Sequence, residues 1–268
     1  MVKITIVTPT RNARKFLRNC LESVAAQTKN NVEIEHMILD GGSTDDTVEI
    51  AKEYGVRFVE RPQNMGLVDA MCLGYENATG DLIGFLGADD VLLPNALKHV
   101  AKVYNSEQRE VIFCRARWVD SDLKSLGELA PLPRWCTSHA HASLGWCYVS
   151  ACASYITPRL YRELGGFDRN FTISEDYEFF TRILHRGIPF SRVNAPVGMY
   201  RRHNDNESMR KDDLYWGDLQ RVQSAYAPKN RNVRKLWSVA FRSWIYGRNW
   251  NWALHQFYRK LHSRSLHT

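Results

Sequence analysis

The sequence predicts an α/β fold: a mostly parallel sheet flanked by helices, followed by a helical C-terminal extension. Three observations predict it. Short apolar runs alternate with helix-length amphipathic segments between residues 2 and 86, the order that builds right-handed β-α-β units. Three of those runs stop at polar, turn-forming segments, residues 9–12, 40–43 and 87–90, and ligands of open α/β sheets sit beyond such strand ends. Apolar residues also recur at helical spacing through the last forty residues.

The elements follow in order. Residues 2–8 read as a buried strand that breaks at Pro9, Thr10, Arg11 and Asn12. Phe16, Leu17, Cys20, Leu21 and Val24 then lie on one helical face. A second strand, residues 35–39, ends at Asp40, Gly41 and Gly42, and Asp45 and Asp46 open a helix through Tyr54, where acids suit the positive end of the helix. Residues 56–60 return as a strand, residues 67–77 form a helix, and the strand 82–86 stops at Gly87. Further on, Thr172, Ser174 and the following acids mark the start of a helix through Phe179, Phe180, Ile183 and Leu184.

At 268 residues the chain is long enough for one large domain or two. The expected division is a catalytic unit over residues 1–210, with halves 1–105 and 106–210, and an extension over 211–268. An apolar share of 44% and a charged share of 24% are those of a soluble globular protein. No stretch reaches the roughly 18 apolar residues of a spanning helix, and a strand from residue 2 leaves no signal peptide. The expectation is a cytoplasmic protein. Six cysteines contain no Cys-x-x-Cys pair and read as buried thiols. Residues 229–268 hold nine Lys or Arg and no acid, so the net charge of +7 resides in the tail, and the remainder carries 27 basic against 29 acidic residues.

Several motifs recur along the chain. Thr8, Pro9, Thr10, Arg11 and Asn12 are followed by Ile38, Leu39, Asp40, Gly41, Gly42, Ser43, Thr44 and Asp45. Asn64 and Gly66 precede Ala70 and Gly74, and the run 78–90 ends at Gly87, Ala88, Asp89 and Asp90. Gly165, Gly166, Phe167 and Asp168 lead to Ser174, Glu175 and Asp176, and Tyr200, Arg201, Arg202 and His203 close the series. In this order, from Ile4 to about His203, the chain resembles the family 2, GT-A type glycosyltransferases, which move a sugar from a nucleotide-sugar to an acceptor with inversion at the anomeric carbon.

The resemblance implies a Rossmann-like GT-A sheet and a role for each motif. Asp40 would accept a ring N–H of the base, normally uracil, with Pro9, Thr10, Arg11 and Asn12 packed against the ring and Gly41 and Gly42 beside it; an ionised carboxylate offers only acceptors. Asn64, Asp69 and Ala88 would approach the diphosphate or the sugar. Asp89, Asp90 and His203 would hold a divalent cation, Mn²⁺ or Mg²⁺, that offsets the diphosphate charge. Asp176 would be the general base and Glu175 would position the acceptor or the metal. Arg201 or Arg202 would grip phosphate. Relatives often carry an acid at Gly41 and at Gly87 and an arginine at Met71. The plain local readings are an Asp-capped turn at Asp40 and helix caps at Asp90 and Asp176.

Trp135, His139, His141, Trp146, Tyr148 and Tyr155 form a polar-aromatic segment expected to line an acceptor groove, with the two histidines in a solvated loop. In the tail, Trp237, Phe241, Trp244 and Ile245, then Trp250, Leu254, Phe257 and Leu261, predict two amphipathic helices broken near Gly247. Their basic and aromatic faces suit an anionic membrane surface, placing the protein peripherally on the inner face, or packing onto the catalytic unit or a partner. The expected activity is transfer of a sugar, UDP-linked, to a glycan or lipid-linked acceptor in surface polysaccharide or glycolipid biosynthesis. No nucleic-acid signature is present, and a homo-oligomer stays open. Two rivals remain: a nucleotidyltransferase, which lacks its glycine-rich phosphate loop here, and an inactive nucleotide-sugar-binding scaffold.

Overall fold

The computed structural model describes residues 1–27, 32–59, 65–204, 206 and 213–249. The first half is a run of strands and helices: β1 (Lys3–Thr10), α1 (Leu17–Ala25), β2 (Glu33–Asp40), α2 (Thr47–Lys52), β3 (Arg57–Phe58), α3 (Leu67–Asn77) and β4 (Leu82–Phe85). β1 pairs in parallel with β2 and β4, and β2 with β3. Both faces of this part are covered, so β1 is buried at six of its eight positions, as its near-continuous apolar run requires.

The second half brings β5 (Val91–Leu92), α4 (Ala96–Glu107), β6 (Val111–Val119), β7 (Ser125–Leu129), α5 (Ser138–Ser143), β8 (Ser154–Ile156), α6 (Pro158–Glu163), α7 (Glu175–His185) and β9 (Ser191–Arg201). Among the described residues the strands form a single sheet in the order β3-β2-β1-β4-β8-β6-β9-β5, with β7 on β6. β8 runs antiparallel to both β4 and β6, and β5 and β7 are also antiparallel to their neighbours, while β6 and β9 are parallel. The expected parallel α/β arrangement is thus that of the first half, and the second half extends the same sheet with mixed pairings.

Helix α3 lies unusually close to the sheet. A Cβ on Gly74 would stand 2.4 Å from Val7 Cγ1, so a glycine is required for this approach. One core cluster gathers Val7, Leu39, Met71, Tyr75, Phe113, Phe179 and Phe241, and a second holds Ile4, Ile6, Leu82, Leu97, Ile112 and Val197.

The chain then continues into α8 (Asp213–Tyr226) and α9 (Arg231–Arg248). Asn230 caps α9 by accepting the N–H groups of Asn232 and Val233. Phe241 and Ile245 are 0% and 1% exposed, with Phe241 packed on Trp135 and Tyr148 at ring distances of 5.4 Å. The helix stops one residue beyond Gly247, where the Asn249 side chain accepts from Ala130 N–H at 2.8 Å and donates to Tyr148 Oη at 3.3 Å. The first tail helix therefore packs onto Trp135 and Tyr148 of the preceding chain; the second, from Trp250, lies outside the described residues. Val233, Leu236 and Val239 stay exposed on α9. No helix among the described residues is long and apolar enough to cross a membrane.

The expected aromatic groove is corrected in part. His141, Tyr148 and Tyr155 are 0%, 2% and 2% exposed and belong to the interior. The reason is coverage: α5 is packed beneath α7 and α9, His141 Nδ1 meets Thr181 Oγ1 at 2.9 Å, and Tyr148 Oη donates to Ala130 O at 3.0 Å. Burial pushes the His141 imidazole down to about 3, so it is a neutral core residue rather than part of a solvated loop.

Candidate active site

β1 and β2 end in register, with Thr10 opposite Asp40, so the loops that follow leave the sheet side by side. Asn12, at φ 50°, donates its N–H to Ser43 Oγ at 2.8 Å and accepts the Thr44 N–H on Oδ1 at 2.8 Å. Gly42, at φ +80°, takes the left-handed conformation that favours glycine. Asp40 accepts from Thr10 Oγ1 at 3.0 Å, Ser43 Oγ at 2.5 Å, Gly42 N–H at 2.9 Å and Ser43 N–H at 2.8 Å. Burial opposes its charge, but the Ser43, Thr10 and Gly42 donors outweigh it and hold the carboxyl below its usual range. These four bonds fill the roughly four lone-pair sites of a carboxylate. Asp40 thus builds the loop, and a ring N–H reaches it only when a hydroxyl of Thr10 or Ser43 turns away. Arg11 is exposed at the tip of the same loop.

Beyond β4, Asp90 N–H closes a turn onto Gly87 O at 3.0 Å. Asp89 Oδ2 meets His203 Nε2 at 2.9 Å and Asn206 Nδ2 at 2.8 Å, with Asp89's side chain 29% exposed and His203's 11%. Asn206 Oδ1 in turn accepts the His203 N–H at 2.6 Å, and the Phe16 ring lies 5.0 Å from the imidazole. Asp90 takes a different place from the one expected. It is 2% exposed and accepts the Arg201 N–H at 2.9 Å, so it ties β9 to this loop; burial and then the Asp89 charge push its carboxyl well above the usual range. A Cβ on Gly87 would stand 2.7 Å from Asp89 Oδ1 and 3.0 Å from Asp90 Oδ2, so these two carboxylates occupy the space an acid at 87 would need.

Arg201, one of the two arginines expected to offer a grip on phosphate, is instead committed to the fold. It is 2% exposed, its Nε donates to Asp89 O at 2.6 Å, its guanidinium bonds Ser121 O and Asn19 Oδ1, and it lies 4.3 Å from the Phe16 centroid. Arg202 sits over Trp118 at 4.8 Å.

Glu175 and Asp176 open α7, as the sequence predicts. Glu175 is 4% exposed, and its Oε2 has no hydrogen-bond partner among the described residues. Burial and then the Asp176 charge push Glu175 up to about 8, and burial pushes Asp176 up to about 6. Tyr75 of α3 faces this pair and packs on Phe167 at 5.0 Å, which packs on Phe179 of α7 at 4.9 Å. The residues 165–168 are what make that stack possible. Gly165 and Gly166 adopt φ of +82° and +70°, turning the chain so that Phe167 enters between α3 and α7, while Arg182 donates to Leu164 O and Gly166 O at 2.5 and 2.8 Å.

Other expected residues are placed as follows. Asp69, in the first turn of α3, pairs with Arg169 at 2.5 Å, and Arg169 also reaches Glu76 at 3.2 Å. Met71 points into the core at 2% exposure. Ala88 packs beside Leu17, Leu21 and Ile38. Asn64 lies outside the described residues. The cysteines are all free thiols, and all but Cys147 are buried.

The sequence from Thr5 onward decides the family. Residues 5–140 match the sequence model of Glycosyl transferase family 2. The chain belongs to glycosyl transferase family 2. An uncharacterised glycosyltransferase of Rickettsia prowazekii is 25% identical over 233 residues, covering 82% of this chain and 72% of its own length. The chain spans smaller shares, 58% and 36%, of its counterparts in Rickettsia typhi and Rickettsia felis. Staphylococcus aureus TarS 1–349 in complex with UDP-GlcNAc has a TM-score of 0.67 at 18% identity, over 89% of this chain and 71% of that one. The mannosyltransferase PcManGT of Pyrobaculum calidifontis, in complex with GDP-Man and Mn²⁺, has a TM-score of 0.55 at 15% identity, over 90% and 74%. At these identities the two structures show the shared GT-A fold.

In this family 2 chain, sequence reasoning missed Asn206, Tyr75 and Phe16, which meet Asp89, the Glu175–Asp176 pair and His203. Asn206, three residues after His203, carried the nearest thing to a signal, an amide close to an expected ligand.

Proposed function

We propose that this family 2 enzyme transfers a sugar from a UDP-linked donor to a hydroxyl of a glycan or lipid-linked acceptor, with inversion, in surface polysaccharide or glycolipid biosynthesis. The observation that carries the reading is the Glu175–Asp176 pair at the start of α7: two desolvated carboxyls of raised proton affinity, one with an oxygen that has no partner among the described residues. Such a pair can take a proton from an alcohol near neutral pH. Asp176 accepts the acceptor hydroxyl's proton as that oxygen attacks the anomeric carbon opposite the departing diphosphate. Glu175, protonated at neutral pH, donates a hydrogen bond that orients the acceptor. The UDP bound by TarS supports the choice of base, and the loops at residues 9–12 and 40–43 hold that base, with Thr10 or Ser43 yielding one acceptor site on Asp40.

Among the described residues no group of three or more His, Cys, Asp or Glu is gathered to hold a metal. Asp89 and His203 offer one carboxylate and one imidazole, adjacent and partly exposed. That donor set fits a divalent cation whose remaining ligands are diphosphate oxygens and water, and the Mn²⁺ held by PcManGT supports it. When bound, such a cation neutralises charge on the leaving diphosphate.

A panel of UDP-, GDP-, dTDP- and CMP-sugars, scored for nucleotide release with Mn²⁺, with Mg²⁺ and with chelator, tests the reading on wild type and Asp176→Asn. Release confined to UDP-sugars, dependent on metal and lost in the variant, is expected. Turnover indifferent to metal and to Asp176 overturns it.

A further inference from the structure

The carboxyl pair is supported from a helix outside the matched family segment. Asp218, on α8, is 1% exposed. Its Oδ2 accepts three consecutive backbone N–H groups, from Thr172 and Ile173 at 3.0 Å and from Ser174 at 3.3 Å. These are the residues that lead directly into Glu175. Its Oδ1 is bonded by Arg221, whose guanidinium also donates to Asn170 O at 2.7 Å and lies 4.4 Å from the Phe171 centroid. Leu219 and Val222 of the same helix are buried with Ala142, Phe171 and Tyr177, so α8 is seated where Asp218 can reach the loop.

We propose that Asp218 is a positioning residue for the transfer reaction, its carboxylate gathering the N–H groups of residues 172–174 and so fixing where Glu175 and Asp176 stand. The proposal rests on the reading of Asp176 as the base. Three amides converging on one oxygen form an anion nest, and such bonds are strong when the acceptor is charged. Burial opposes the Asp218 charge, but the Ile173 and Thr172 amides outweigh it and hold its carboxyl below the usual range. Asp218 is therefore a fixed negative charge next to Glu175, whose proton affinity it raises. Among the described residues, the other groups facing the pair are Tyr75 from α3, Cys147 from the segment after α5, and Tyr215 from α8.

The two partners make opposite predictions. Asp218→Asn removes the charge and weakens the anchor, so turnover falls by roughly tenfold to a hundredfold while the KM for the nucleotide-sugar stays within about twofold, because the donor loops are untouched. The Glu175 carboxyl loses one of the charges that raise its proton affinity. Arg221→Gln leaves the three amide bonds in place but uncovers the Asp218 charge, so Glu175 keeps its proton to higher pH. A readout that needs no substrate runs beside these. A Glu175 carboxyl raised in the folded state keeps its proton as pH rises, so Tm declines between the unfolded and folded values; that decline ends at lower pH in Asp218→Asn and at higher pH in Arg221→Gln.

Folded Asp218→Asn with wild-type turnover and an unmoved Tm profile overturns the proposal. If that variant does not fold, Arg221→Gln decides alone, and an unmoved Tm profile there overturns it equally. Full activity in Asp176→Asn sinks the base assignment instead, whereas an inactive Asp176→Asn beside an unaffected Asp218→Asn sinks only the role of Asp218.

Discussion

His203 Nε2 lies 2.9 Å from Asp89 Oδ2, joining the segment after β9 to the loop after β4 across 114 residues. Asn206 stands within reach of both, on Asp89 Oδ2 and on the His203 N–H. A carboxylate and an imidazole are thereby presented together by two distant parts of the chain.

Asp89→Asn and His203→Ala are expected to weaken metal-stimulated turnover. Electrostatic assistance by a cation is worth several kcal/mol, so Asp89→Asn should lose about a hundredfold or more in kcat/KM. His203→Ala should instead raise the Mn²⁺ concentration for half activity. Titrations of rate against Mn²⁺ and Mg²⁺ measure both.

Asp176→Asn is expected to lower kcat by about a hundredfold to ten-thousandfold, the range of a general base, with little change in UDP affinity. In the wild type the base must be ionised, and Asp176 is pushed up to about 6. Rate should therefore fall as pH drops through about 6, well above the ordinary carboxylate range. A kcat–pH profile shows it.

Glu175 governs stability in the opposite sense. Its folded carboxyl is pushed up to about 8, so the folded state binds a proton that the unfolded chain has already lost. Stability should decline as pH rises from about 4.5 to 8, at up to roughly 1.4 kcal/mol per pH unit. Glu175→Gln should remove the part of that decline above about pH 6, leaving the part that the raised Asp176 carboxyl contributes below it, as measured by denaturant unfolding across pH.

Asp40→Ala should damage both the fold and donor binding, because it removes the acceptor for four donors. Leaving those donors unmatched costs about 1–3 kcal/mol. Thr10→Val is the informative companion: it frees one acceptor site on Asp40 while keeping the other three bonds, and UDP affinity measured by calorimetry should be retained or increased.

On α9, Phe241→Ala should destabilise by about 3–5 kcal/mol, the cost of deleting a buried aromatic ring, whereas Leu236→Ser, at a position 68% exposed, should leave the melting temperature unchanged. If the tail also meets an anionic surface, Leu236→Ser should weaken co-sedimentation with anionic vesicles. Sedimentation equal to wild type would remove that reading.

The positions of Asp40, Asp89 and Glu175 were legible because each follows a feature written locally: an apolar strand stopped by turn residues, or a helix start rich in acids. What fills their lone pairs was not. Asn206 acts on Asp89 from 117 residues away, Arg201 from 112, and Asp218 on Thr172 from 46, and no periodicity carries such partnerships. Asp90 illustrates the limit. Two adjacent acids read alike in sequence, yet one faces the solvent and the other is claimed by the Arg201 backbone. The aromatic segment failed for a related reason, since Tyr148 and Tyr155 have the same chemistry whether they line a groove or fill a core.

The crowding at Gly87 bears on how this sequence can change. Asp89 is tied to His203 and Asn206, and Asp90 to Arg201, while their remaining oxygens lie 2.7 and 3.0 Å from where a side chain at 87 would begin. An acid at that position is therefore crowded: Gly87→Asp would begin against two carboxylates that other parts of the chain already hold. Room for it opens only as Asp89 or Asp90 shifts, so the fit of a side chain at 87 is coupled to the ties that His203, Asn206 and Arg201 make from the far end of the chain.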